Sequence, residues 1–339
     1  LRIGNMVYTV FYRQCTNRCI MSAANSSMTK RLAVVFPGQG SQSVGMMDEL
    51  DKAFKSVRTT FDEASEALGF DLWSVTQDEN CLNKTQYTQP ALLTSSIAIW
   101  QIIEPILSAQ SIKPMYLAGH SLGEYSALVA AGVLNLTDAV KMVHERGKFM
   151  TEAVQSIDTQ MAAILGLDDE QVVSLCEEVS TTTGTVNAAN FNSPGQVVVA
   201  GTAVGVSGVL SAVEALGKKA VPLKVSVPSH CALMNPASDA LAKLLGETDF
   251  GEASIPVIQN RHAKIHTQTT QIKTALIEQL SMPVLWSKTM EKLSERGINL
   301  ILECGPGNVL SNLAKRQATP ITALPTDKLA RLEKLENLV

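Results

Sequence analysis

Hydrophobic positions along the chain follow two rhythms. Short β-prone apolar runs, Leu32–Phe36 and Met115–Ala118, are each cut off by glycine-bearing turns, Pro37-Gly38-Gln39-Gly40-Ser41 following the first. Between and after them, apolar residues recur at helical spacing. This predicts helices over Ala53–Leu68, Ala91–Leu107, Leu122–Ala131 and about Asp138–Val154, the last with Thr137 as N-cap. Strands alternating with helices predict a mostly parallel sheet covered on both faces. From Met161 the order changes. Strand Met161–Leu165, helix Asp168–Val179, strand Thr185–Phe191, strand Gln196–Ala200, helix Val204–Leu216 and strand Lys219–Val225 spell β-α-β-β-α-β, a self-contained ferredoxin-like unit. The larger pattern then resumes with helix Ala232–Leu245, strand Pro256–Ile258, helices near Gln271–Leu280 and Val284–Arg296, and strand Asn299–Glu303.

The expected fold class is therefore α/β. A large domain with a mostly parallel sheet spans 28–157 and 228–325, and a ferredoxin-like (βαββαβ) small domain is inserted at 158–227. In the tail, 326–339, Leu329, Leu332, Leu335 and Leu338 have amphipathic helical spacing, which predicts packing or fraying. Residues 1–27 stand apart: Arg2, Arg13 and Arg18 lie among Ser, Asn and Thr, and no acidic residue precedes Asp48. That composition is read as a transit-peptide-like leader or a non-native extension, with Met28 as the functional start.

Composition narrows the class. Hydrophobic residues make up 45% of the 339 and aromatics only 5%, which suits an Ala/Val/Leu-rich α/β protein large enough to shape a pocket. A net charge of −4 with dispersed Lys and Arg argues against a nucleic-acid partner. No apolar run approaches the ~20 residues that cross a bilayer, so no membrane partner is expected. The six cysteines show neither metal spacing nor a disulfide framework. Reduced thiols in a cytoplasmic protein are the economical reading, or in a mitochondrion or plastid if the leader is a genuine transit peptide.

Candidate chemistry centres on Gly119-His120-Ser121-Leu122-Gly123, a G-x-S-x-G string entered by a strand and left by a helix. That setting matches a nucleophile elbow, whose strained turn lifts the serine hydroxyl above the sheet and aims the Leu122 amide at developing negative charge. A glycine-rich helix cap is the bland alternative. A serine hydroxyl needs a base, and only five histidines exist. His120 adjoins Ser121 on the turn, His144 lies on a helix beside Glu145, and His262 and His266 occupy a polar stretch. His230 follows strand-like Lys224–Val227 and leads into an apolar helix, so it can enter the crevice at the sheet's carboxyl edge. Taken alone it could equally be a capping or core histidine. Arg146, on its own residues, reads as a solvated helix arginine.

Several separated strings carry a family resemblance: Phe36-Pro37-Gly38-Gln39-Gly40-Ser41-Gln42, Thr88-Gln89-Pro90-Ala91-Leu92, and Gly119-His120-Ser121-Leu122-Gly123-Glu124-Tyr125. To these add Arg146-Gly147-Lys148, Asn190-Phe191-Asn192-Ser193-Pro194-Gly195-Gln196, Val227-Pro228-Ser229-His230-Cys231 and Glu303-Cys304-Gly305-Pro306-Gly307. From about Lys30 to Arg316 the chain resembles the malonyl-CoA:acyl carrier protein transacylases of bacterial fatty-acid synthesis. The resemblance implies a hydrolase-like large domain and a ping-pong transfer from malonyl-CoA to acyl carrier protein, with no cofactor or metal. It also implies roles: Ser121 nucleophile, His230 base, the amides of Gln39 and Leu122 as oxyanion hole, Arg146 for the malonyl carboxylate, and Gln279 orienting His230 through its carbonyl. An acidic carrier calls for a basic rim, for which Lys218, Lys219 and Lys224 are the candidates.

Other readings stay open. A polyketide-type acyltransferase taking malonyl- or methylmalonyl-CoA would carry different residues before the histidine than Val227-Pro228-Ser229. A serine esterase or thioesterase would place an HGGG-type loop where Pro37-Gly38-Gln39-Gly40 stands. A catalytically silent carrier-binding protein would not need Ser121, His230 and Arg146 together. Gln259-Asn260-Arg261-His262 departs from the family pattern in its two bulky basic residues.

Overall fold

The computed structural model describes residues 30–338; the leader expected at 1–27 lies outside them. From Arg31 onward the chain forms one compact unit. Strands β1 (Leu32–Phe36), β2 (Tyr116–Gly119), β7 (Val257–Gln259), β8 (Lys264–Ile265), β9 (Leu300–Glu303) and β10 (Thr322–Pro325) build a six-stranded sheet in the order β10-β9-β1-β2-β7-β8. Every pair is parallel except the β7–β8 hairpin. Successive residues of β1 serve opposite faces. Val34 and Phe36 pack into the larger core, Ala33 and Val35 into a second core with Trp286, Met290 and Leu293. Burial on both faces explains why these strands read as unbroken apolar runs rather than alternating ones.

Helix Thr85–Ala109 crosses the larger core and is 25 residues long, six residues earlier in start than its apolar pattern suggests. Contrary to the sequence expectation, it is long and apolar enough to span a bilayer, but 72% of its most apolar window is buried inside the protein. Pro90 lies within it and cannot donate to the carbonyl of Gln86. His144 Nδ1 meets that carbonyl instead at 2.8 Å, which accounts for His144 as a packing residue. The following helix, Leu136–Glu152, is capped by Asn135, whose side chain accepts from the Asp138 amide, and not by Thr137.

The smaller sheet holds β3 (Thr159–Leu165), β4 (Val186–Ser193), β5 (Gln196–Thr202) and β6 (Lys219–Pro222), all antiparallel, in the order β4-β5-β3-β6. With helices Asp169–Thr182 and Ala203–Ala215 it follows the βαββαβ order. Those helices cover one face, against Ala162, Ile164, Val197 and Val199. The alternate positions Met161, Ala163, Gln196 and Val198 face a cavity over the large sheet, so the small sheet roofs the site. β6 stops at Pro222, three residues short of expectation, and its last bond to β3 is the Leu223 amide to the Met161 carbonyl at 2.9 Å. Residues 223–231 therefore approach the cavity as a loop rather than a strand. Helix Val309–Ala314 and strand β10 carry too few residues for a periodic signal and were not anticipated. Leu332, Leu335 and Leu338 of the tail pack into the larger core.

Candidate active site

The turn between β2 and helix Gly123–Ala130 is only three residues long, and Ser121 at its centre has φ +52°. A non-glycine residue there is strained, and the surroundings must over-determine it. Two features do so. Side chains at Gly119 or Gly123 would overlap the backbone of Gly123 or Phe36, so the arms of the turn close only with glycine. Asn260 then staples the bend, accepting from the Ser121 amide at 2.6 Å and donating to the Gly119 carbonyl at 2.5 Å. Asn260 is held in turn by its own amide, which donates to Glu124 Oε2 at 2.9 Å.

His230 reaches this bend from 109 residues downstream, its Nε2 2.7 Å from Ser121 Oγ. It too has positive φ, +64°, and its amide is anchored on the Leu280 carbonyl. Its Nδ1 lies 2.6 Å from the main-chain carbonyl of Gln279. A carbonyl only accepts, so Nδ1 carries the hydrogen and the Nε2 lone pair faces the serine hydroxyl. Burial first, and the Arg146 charge second, push the imidazole down to about 3, so it is neutral at rest. His120 turns away to Asn192 and the Trp286 ring, as its place on the turn requires. His262 and His266 pack together on the β7–β8 hairpin, with His262 beside Glu278.

Arg146 is not a solvated helix residue: it is 1% exposed and lines the same cavity. Nη1 donates to Gln89 Oε1 at 2.8 Å and Nη2 to Gln279 Oε1 at 3.1 Å, and the guanidinium sits 5.5 Å from the Tyr125 ring. These partners are neutral, so the guanidinium, which stays charged when buried, lacks a directly bonded anion. Gln39 and Leu122 also line the cavity, and among the described residues neither main-chain amide has an acceptor. Gln39 is fixed by its side-chain bond to Thr85 Oγ1 (3.2 Å), and Thr85 bonds Ser226 in the loop that brings His230.

Gln279 ties the pieces together: its carbonyl holds His230, while its side chain touches Arg146, the Ser121 carbonyl and Glu124. Asn260, Glu124 and Gln89 are site residues that the sequence reading did not assign. Arg261 and His262, the two bulky basics beside Asn260, go to Glu278 and leave the elbow alone. Lys218, Lys219 and Lys224 are all exposed. Lys224 lies between Leu223 and Val225, which line the roughly 240 Å³ cavity, whereas Lys218 and Lys219 sit at the other end of β6, opposite Leu165. Among the described residues no group of three or more His, Cys, Asp or Glu is placed to hold a metal.

A serine on a strained strand–turn–helix bend, met by a neutral imidazole beside free amides on a mostly parallel sheet, defines a serine acyltransferase of α/β fold. Residues 33–328 match the acyl transferase domain family, and the chain belongs to it, within the bacterial-type malonyl-CoA:acyl carrier protein transacylases. The malonyl CoA-acyl carrier protein transacylase of Salmonella typhimurium is 48% identical over 305 residues, covering 89% of this chain and 97% of the relative. The crystal structure of FabD from Acinetobacter baumannii superposes with a TM-score of 0.87 at 51% identity, covering 91% and 98% of the two chains. A malonyl-transacylase (PlMCAT) solved with its type II polyketide acyl carrier protein aligns at TM-score 0.86 and 46% identity, covering 90% of this chain and 99% of the other.

Proposed function

We propose that the chain transfers malonyl from malonyl-CoA to the phosphopantetheine thiol of acyl carrier protein through a malonyl-Ser121 ester, supplying fatty-acid synthesis. Ser121 Oγ attacks the thioester carbonyl as its proton passes to His230 Nε2. The tetrahedral oxyanion faces the amides of Gln39 and Leu122, and its collapse expels CoA, whose sulfur takes the proton from His230. In the second half-reaction the carrier thiol gives its proton to His230, the sulfur attacks the ester, and Ser121 leaves reprotonated. Arg146 pairs with the free malonyl carboxylate. Gln279 orients His230 by its carbonyl, in place of the acidic residue of common hydrolases. No metal or bound cofactor enters either step.

The observation that carries this reading is the hydrogen-bonded series from Ser121 through His230 to the Gln279 carbonyl, with a buried guanidinium in the same cavity. Incubation with labelled malonyl-CoA tests it. Stable label on Ser121 that moves to the carrier supports the transacylase, rapid hydrolysis supports an esterase, and no label a silent binding protein. A second reading, transfer to a polyketide carrier, draws on the relative solved with such a partner. Competition between the two carriers for malonyl-Ser121 separates them.

An acidic carrier would dock on the cations Lys218, Lys219 and Lys224. Reversing their charge should slow transfer to the carrier and leave Ser121 labelling intact; equal loss in both steps would remove them from the surface. We place the activity in the cytoplasm, in keeping with the four free cysteines among the described residues, Cys81, Cys176, Cys231 and Cys304. Sequencing the N-terminus of the natural protein distinguishes this from an organelle reached through a transit peptide.

A further inference from the structure

Arg146 and Glu124 are both fully enclosed, yet they do not touch. Between them stands the Gln279 amide, accepting from Arg146 Nη2 at 3.1 Å and donating to Glu124 Oε2 at 2.7 Å. The other donor to Glu124, the Asn260 amide, reaches the same oxygen. Oε1 is buried with no hydrogen-bond partner among the described residues, and so is Arg146 Nε. A carboxylate with one oxygen doubly solvated and the other bare is only half accommodated as an anion; a proton on Oε1 would remove that burden.

The charged surroundings are few. From helix Leu136–Glu152 Arg146 acts on Glu124; Tyr125, on its own helix, is neutral, since burial pushes its hydroxyl up to about 12. Helix Thr269–Ser281 and the end of β7 present only the uncharged Gln279 and Asn260, with neutral His230 beyond the Gln279 carbonyl. Among the described residues Arg146 is thus the single cation that favours the ionised form.

Resting on the function proposed above, we propose that Glu124 is a positioning residue that serves as the internal counter-charge of Arg146 in the free enzyme and takes up a proton when a malonyl carboxylate pairs with Arg146. One buried cation then balances one anion in either state. Through Gln279 and Asn260 the same side chain sets the His230 acceptor and the elbow, so the charge exchange occurs without loosening the nucleophile. Burial already lifts the Glu124 carboxyl to about 7, and a second anion on Arg146 lifts it further, so the uptake falls in the neutral range.

Calorimetric titration of malonyl-CoA into the full-length Ser121→Ala protein, in two buffers of different ionisation enthalpy, counts the protons. Linkage predicts about one proton taken up per ligand bound near pH 8, and none in Ser121→Ala/Glu124→Gln. Glu124→Gln is the informative change because its single carbonyl oxygen can accept from both Gln279 and Asn260. A second readout needs no variant at this position. Wild-type kcat/KM for malonyl-CoA should fall by up to about tenfold per pH unit above 7, while that for acetyl-CoA, which brings no carboxylate, does not. Equal binding heats in both buffers, uptake that survives Glu124→Gln, or parallel pH profiles for the two substrates would overturn the proposal. Failure of malonyl-CoA to label Ser121 at all would instead overturn the proposed function.

Discussion

Replacing Arg146 with alanine tests substrate recognition most directly. In the resting protein the guanidinium spends its donors on two amide oxygens, Gln89 Oε1 and Gln279 Oε1, both weaker partners than a carboxylate. A malonyl carboxylate arriving in the cavity can take a bidentate pair with this buried guanidinium. Without Arg146 it would be buried with no cation, a loss of about 2–5 kcal/mol. At 1.36 kcal/mol per decade, kcat/KM for malonyl-CoA should drop roughly 30- to 5,000-fold. Acetyl-CoA gains nothing from the cation, so its kcat/KM should hold or rise, and the malonyl:acetyl ratio should collapse by the same factor. Arg146→Lys keeps the charge but not the planar fork, and should fall between. The assay is Ser121 acylation under single-turnover conditions with each thioester, on protein shown by thermal melting to be folded. A malonyl:acetyl ratio unchanged in Arg146→Ala would remove Arg146 from recognition, whatever the loss in absolute rate.

Two further predictions concern the nucleophile and its base. His230 is depressed from its ordinary value to about 3, so the stability it contributes is present above the ordinary histidine value and lost as pH falls from there through about 3. Urea unfolding at pH 7 and pH 3.5 should therefore show His230→Gln losing about 4 kcal/mol less than wild type on acidification; equal losses would place the imidazole in a wetter site. Asn260→Ala leaves the Ser121 amide and the Gly119 carbonyl unpaired inside the bend, at about 1–3 kcal/mol each. Labelling of Ser121 by malonyl-CoA should slow at least tenfold, and an undiminished rate would show that the two glycines hold the elbow alone.

The elbow was legible because everything that defines it is local: a strand, two glycines, a serine and a helix start within a few residues. His230 was reachable only by elimination, since its partner lies 109 residues away and the strand expected to deliver it is a loop. Arg146 was misjudged on its own residues for an avoidable reason. Val143 and Met150 lie one turn to either side of it and are apolar, so helical spacing already placed it on the inward face. Asn260 had no such signal. Its neighbours Arg261 and His262 drew notice by their bulk, but β7 ends at Gln259, and only the first residue past the strand meets the turn. The roof of the cavity was invisible for a different reason. Period-2 alternation in β3 and β5 shows that two faces exist, while apolar residues on both conceal which one covers a site.

The unusual acceptor for His230 follows from the need to recognise an anion. A carboxylate beside Nδ1 would strengthen the base, but it would also lie close enough to Arg146 to pair with it and to repel malonyl. A carbonyl orients the ring without competing for the cation. The consequence is a base that Arg146 itself suppresses, its positive charge opposing the imidazolium. Malonyl lifts more of that suppression by pairing directly with the guanidinium, whereas with acetyl only the indirect balance from Glu124 through Gln279 remains. Discrimination against acetyl-CoA should then show in the acylation rate constant at saturating substrate as well as in binding. In Arg146→Ala the acetyl rate constant should rise, because the opposing charge is gone. Acetyl acylation at saturation that is as fast as malonyl in wild type, with the whole preference in KM, would mean that Arg146 acts on binding alone and that the base is indifferent to it.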